Sequence, residues 1–146
     1  MRLSHIPLRL TTGAFILNSG LGKRGLDGES AAGMQGMAAR VFPPVSKMEP
    51  EAFGKMLSYA EMGLGAALLA PFVPSRFAGL CLGVFSGSLL TMYRKTPGMT
   101  MEDGIRPTQQ GVPLAKDVWM LGIAAALILD RKRVPVRGAK TAPAVK

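Results

Sequence analysis

Three stretches of this chain carry no charged side chain, residues 62–75, 77–93 and 118–129, and residues 10–22 lie uncharged between Arg9 and Lys23. These runs constrain the fold more than any other feature, because each must be covered by protein or by lipid. A soluble domain that buried all of them would need a large polar shell. The chain has 146 residues, of which only 18% are charged, so little sequence is left to build one. In a bilayer the same runs need only satisfy their own backbone groups, which a helix does internally. The expected fold class is all-α, a four-transmembrane-helix bundle.

The first segment is expected over residues 7–23, with Pro7 tolerated in its first turn. Such a helix is about 25 Å long, close to the hydrocarbon thickness of roughly 30 Å. Arg9 and Lys23 are then placed to snorkel towards opposite headgroup layers. A signal peptide is the competing reading, but "NSGLGKRG" offers no small-x-small cleavage site and more apolar segments follow. The second segment is expected over 54–72 and the third over 75–93, so short a connection that the two must pack antiparallel. The fourth is expected over 113–130. In the third, Gly79, Gly83 and Gly87 recur every four residues and form a smooth face for close helix packing, within the bundle or across a homo-oligomer. Tyr59, Tyr93 and Trp119 are expected in the interfacial aromatic belt.

Between the first two segments, residues 24–55 mix charges, glycines and a Pro-Pro pair. Within them "AAGMQGMAARVF" sets Met34, Met37, Ala38 and Val41 on one side, which predicts an interfacial segment between helices 1 and 2, inside 30–45. Residues 1–133 form the expected membrane domain and 134–146 a basic, disordered tail.

The formal net charge is +9, and six of the 18 basic residues (Arg131, Lys132, Arg133, Arg137, Lys140 and Lys146) follow the last apolar run. A basic cluster directly behind an apolar helix reads as a topology signal or a contact with anionic lipid, so no nucleic acid partner is expected. Four spans put both termini on one side. The two sides tie in basic residues, and the dense tail tips the orientation towards cytoplasmic termini in a multi-pass plasma-membrane protein. Cys81 is the one cysteine and His5 the one histidine. With no CxxC, HExxH or phosphate loop, most metal and triad chemistry drops out and no metal is expected. "MTM" alone is too short for a copper motif.

Glu61 is the only acid between Glu51 and Glu102, and it lies inside an apolar run. Such a carboxylate pairs or faces a cavity. The expected site is a polar pocket of Asn18, Ser19, Lys23, Glu61, Lys116 and Asp117 under a lid made by residues 94–112, with Lys23 or Lys116 as the partner of Glu61. The competing reading is that these residues only hold the bundle together. Lys116 and Asp117, adjacent in sequence, do not face each other along a helix.

Three motifs in order, "LRLTTGAFILNSGLGK", "YAEMGLGAALLAPFVPSRFAGLCLG" with Glu61, Gly63 and Gly65, and "KDVWMLG", give the chain a resemblance to the DoxX-like small integral membrane proteins over about residues 8–130. It departs from their pattern in "DGESAAGMQGMAARVFPPVSKM" and at Pro71, where members continue with Gly. The resemblance implies a four-helix membrane bundle. It also implies kinship with proteins like the small subunit of a thiosulfate:quinone oxidoreductase, or with partners of thiol-handling enzymes. The chain has no dithiol, haem ligands or flavin fingerprint, so it is expected to be an accessory or membrane-anchor subunit of a quinone- or thiol-linked redox system, not an enzyme on its own. It has no intrinsic cofactor, and quinone is the candidate ligand. Expected partners are membrane lipids, other proteins of a membrane complex and a second copy. The alternatives are a non-catalytic scaffold or assembly factor, and a small-molecule channel or transporter.

Overall fold

The computed structural model describes residues 3–129. The expected basic tail, including Arg131 to Arg133, lies outside the described residues. Within them the fold is all-α, with one isolated antiparallel bridge between Thr100 and Pro107 and no strand. The helices are α1 (His5–Gly22), α2 (Gly28–Ala39), α3 (Pro50–Leu69), α4 (Ser75–Lys95), α5 (Val112–Ala115) and α6 (Val118–Leu129), with a 3-10 turn at Pro43–Lys47 between α2 and α3.

Proline sets most of the helix ends. Pro50 opens α3 at a position whose N–H has no helical partner, and Glu51 beside it complements the positive end of the dipole. Ala70 precedes Pro71 and is extended, with ψ 116°, which ends α3 three residues before the expected limit at 72. Pro74 precedes α4, and Thr96, extended before Pro97, closes it behind Arg94 and Lys95 in the last turn. The fourth expected segment is not one regular helix. Lys116 and Asp117 form a turn between α5 and α6, following Pro113 in the first turn of α5. α2 is capped by Asp27, whose carboxylate accepts the Ser30 N–H at 2.8 Å, a bond that holds this carboxyl below its ordinary range.

α1 packs on α3 and α4 on α6, and the two pairs meet in one core of Ile16, Leu64, Leu68, Ala78, Leu82, Met120, Ala124 and Leu127. The α1–α3 contact is made at glycines outside the expected packing face of Gly79, Gly83 and Gly87. A Cβ on Gly65 would stand 2.6 Å from the Leu17 backbone nitrogen, and one on Gly20 would stand 2.8 Å from that of Met62. The expected face of α4 is engaged at one end only. A Cβ on Gly79 would meet Leu127 Cβ at 2.9 Å and one on Gly83 would meet Ala124 Cβ at 3.6 Å, whereas one on Gly87 would have open space.

Arg9 corrects the sequence expectation most sharply. It does not snorkel outward: its side chain is buried, with 1% of the residue exposed. The antiparallel α1–α3 pairing brings it to the C-terminal end of α3, where carbonyl groups lack helical donors. Its Nε donates to Leu68 O at 2.7 Å, Nη2 to Ala67 O at 2.9 Å and Ala70 O at 2.7 Å, and Nη1 to Val73 O at 2.9 Å and Ser75 Oγ at 3.3 Å. The guanidinium has five N–H groups and makes five bonds, so it ties α1 to the whole α3–α4 hairpin.

The connections lie at the other end of the bundle. Gln35 on α2 is buried and donates to Val45 O and Met48 O, both at 2.7 Å, folding the 3-10 turn back on α2. α2 packs against α3 through Ala31, which would meet a Cβ on Gly54 at 3.4 Å. The expected interfacial segment is thus a helix docked on the bundle. Tyr93, expected in the aromatic belt, is instead buried, and its hydroxyl donates to Ile105 O at 2.8 Å. That bond holds the 96–111 loop over the end of α4. The loop is tightened by Asp103, which accepts the N–H groups of Ile105 and Arg106 and pairs with the Arg106 guanidinium. This pairing keeps the Asp103 carboxyl below its ordinary range.

Candidate functional site

α1 and α3 run antiparallel, so the last turn of α1 meets the middle of α3. Lys23, just past the end of α1, reaches back along the helix. Its Nζ donates to Glu61 Oε2 at 2.8 Å, to Ser19 Oγ at 2.7 Å and to Ser19 O at 3.4 Å. The Glu61 side chain is 6% exposed and that of Lys23 18%. Of the two lysines considered for Glu61, the structure pairs it with Lys23. Below this pair, the Ser58 hydroxyl donates to Gly20 O at 2.7 Å, a second polar tie in the same seam.

The pair forms part of the wall of a half-open cavity of about 480 Å³ lined by all six helices and the 96–111 loop. Ser19, Lys23, Glu61, Lys116 and Asp117 all line it. Asn18 does not: it is exposed and points away from the cavity. Successive residues on a helix are turned by about 100°, so with Ser19 facing α3 its neighbour faces out. Apart from Gln110 the rest of the wall is apolar. Phe15, Phe53 and Phe85 form rigid surfaces, while Met34, Met37, Met92, Met99 and Met120 supply flexible ones. The expected lid region contributes Met99 and Gln110 from the loop, and α2 closes another side with Met34, Met37 and Ala38.

Asp117 lies close enough to Lys116 and Glu61 to feel both charges. The four ionisable groups therefore sum to zero when all are charged. The site suits a neutral molecule with a small polar head and an apolar body, since a net charge would be left uncompensated among methionine and phenylalanine. Trp119 stands outside, 39% exposed, with its ring edge-on to Phe15 at 6.1 Å.

A wider open groove of about 830 Å³ runs from Gly87 and Thr91 to Leu121 and Ile105. Its only charged lining groups are the exposed Arg94 and Lys95, so it offers none of the convergent buried polarity of the first cavity. Among the described residues no three His, Cys, Asp or Glu side chains come together, and Cys81 is a free thiol packed at the edge of the core. Comparison with protein-family models, with curated proteins and with solved structures finds no match for this chain.

Proposed function

We propose that the chain is a four-span membrane protein that holds a neutral, ring-headed apolar molecule of the quinone class in the cavity beside Lys23–Glu61, as the membrane subunit of a redox system. The spans are His5–Gly22, Pro50–Leu69, Ser75–Lys95 and Val112–Leu129, with both termini cytoplasmic. Two of them, Ser75–Lys95 and Val112–Leu129, are long and apolar enough to cross a bilayer by composition. The other two carry Arg9 and Glu61, whose partners lie within the bundle, so these charges need not meet lipid. The distribution of side chains supports the same reading. Arg9, Thr12, Ser58 and Ser86 are fully buried, while Phe77, Leu80 and Val84 on α4 and Val118 and Leu121 on α6 face outward.

The observation that carries the functional reading is the convergence of two lysines and two carboxylates on one largely apolar cavity. With one cysteine and one histidine the chain has no electron carrier of its own. It presents the molecule and relies on a partner enzyme for electron transfer, as the DoxX-like resemblance implies. The test is purification in mild detergent followed by organic extraction. A bound quinone, together with a rise in melting temperature when a short-chain quinone is added, supports the reading. Co-purifying proteins of unrelated chemistry, with no bound quinone and no thermal shift, would replace it with the scaffold reading.

A further inference from the structure

Asp117 stands immediately before α6, where a carboxylate ordinarily accepts N–H groups of the first turn. Here those groups are engaged by the main chain. The Trp119 N–H donates to Lys116 O at 3.3 Å, and the Met120 N–H to the Asp117 carbonyl oxygen at 3.1 Å. The side chain lines the cavity instead. Only 7% of the residue is exposed, and among the described residues its carboxylate has no hydrogen bond and no contact ion pair. Lys23 spends its donors on Glu61 and Ser19, and Lys116, the other ammonium lining the cavity, makes no hydrogen bond to Asp117 among the described residues. An ionised carboxylate only accepts. The Asp117 oxygens are not among the fully buried, unpartnered side-chain atoms of the described residues, so they open on the cavity, where an occupant can supply a donor.

A ring-headed molecule can supply that donor in only one of its redox forms. The carbonyl oxygens of a quinone accept, whereas the hydroxyl groups of a hydroquinone donate and accept. A hydroxyl set between Asp117 and Lys116 would donate to the first and accept from the second. A carbonyl in the same place would satisfy Lys116 alone. Resting on the quinone-class reading above, we infer that Asp117 is the group that reads the ligand's head, and that the cavity selects the reduced, hydroxyl-bearing form over the oxidised one. The apolar body then lies against Phe15, Phe85 and Met37.

The test compares decyl-hydroquinone with decyl-benzoquinone, which share one carbon skeleton, on the full chain in detergent. Binding is read from the melting temperature and from the fluorescence of Trp119, the only tryptophan, which abuts Phe15 of the cavity wall. One extra hydrogen bond to a buried charge predicts about tenfold tighter binding of the hydroquinone. In Asp117→Asn, whose amide keeps the size and can donate to a carbonyl, the preference should vanish. Equal affinities in the wild type would overturn the inference, since a water would then be serving Asp117. So would a preference that survives Asp117→Asn. Binding of benzoquinone alone would sink the inference and leave the cavity reading standing, and binding of neither would end both. Should Asp117→Asn fail to fold, the two wild-type affinities decide the matter.

Discussion

Lys23 and Glu61 are joined at 2.8 Å, yet they stand differently towards solvent, with side chains 18% and 6% exposed. Removing one partner of a buried pair is costly because the other charge is stranded. Lys23→Met would strand Glu61 with no other donor among the described residues, a loss of about 3–5 kcal/mol. Glu61→Gln is milder, at about 1–2 kcal/mol, because the amide oxygen still accepts and Lys23 keeps Ser19 Oγ at 2.7 Å. Denaturant melts of the two variants should fall in that order, and the reverse order would mean that Lys23 bears the desolvation. That Glu61 needs a partner was legible in sequence, since an acid alone in an apolar run demands one, but the choice of Lys23 over Lys116 was not, because both fell on the same side of the expected bundle. Arg9 was not legible. It looks like any basic residue at a membrane edge, and its partners are four backbone carbonyls and one hydroxyl, which leave almost no mark in a sequence.

Helix pairing in this molecule depends on where glycine meets backbone, and regular spacing was a poor guide to that. Gly79, Gly83 and Gly87 form the only four-residue glycine ladder that sequence reading picked out, but a Cβ on Gly87 would meet nothing within 4 Å. Gly65 and Gly20 belong to no such ladder and sit where α1 and α3 approach most closely. The difference lies in crossing geometry: two helices touch over a limited length, and a repeat does not say which part of it falls there. Gly65→Ala would set a Cβ 2.6 Å from Leu17 N, an atom that can yield only if α1 moves. The expected cost is about 1–3 kcal/mol from overpacking. Gly87→Ala meets open space and should stabilise α4 by about 0.5–1 kcal/mol through helix propensity alone. Melting curves of the two proteins, each against the parent, check both signs. A neutral Gly65→Ala would show that the α1–α3 seam is looser than drawn. Element boundaries departed from expectation for similar local reasons, with α3 ending early ahead of Pro71 and the last segment broken at Lys116–Asp117.

At the scale of the whole molecule, the burial pattern needs something to cover α4 and α6. Phe77, Leu80 and Val84 are 57%, 56% and 72% exposed on one helix, and Phe72, in the hairpin below, is 85% exposed. On the four-span reading proposed above lipid is that cover, since inside a bilayer the ionic groups turn inward, as Arg9 and Glu61 do, and the apolar ones outward. Orientation is a separate question. Arg9 is spent on carbonyls inside the bundle and anchors no headgroup, so the bias towards cytoplasmic termini rests on the basic residues past position 130. The four-span reading puts Ser46 and Ile105 on the outer side and Phe72 on the cytoplasmic side. In a Cys81→Ser background, Ser46→Cys and Ile105→Cys should react with a membrane-impermeant maleimide on intact cells, and Phe72→Cys only after lysis. Labelling at Phe72→Cys before lysis, with the other two silent, would reverse the orientation. Labelling of all three positions only after lysis, with the protein recovered in the soluble fraction, would remove the membrane altogether and leave the apolar faces of α4 and α6 to a protein partner.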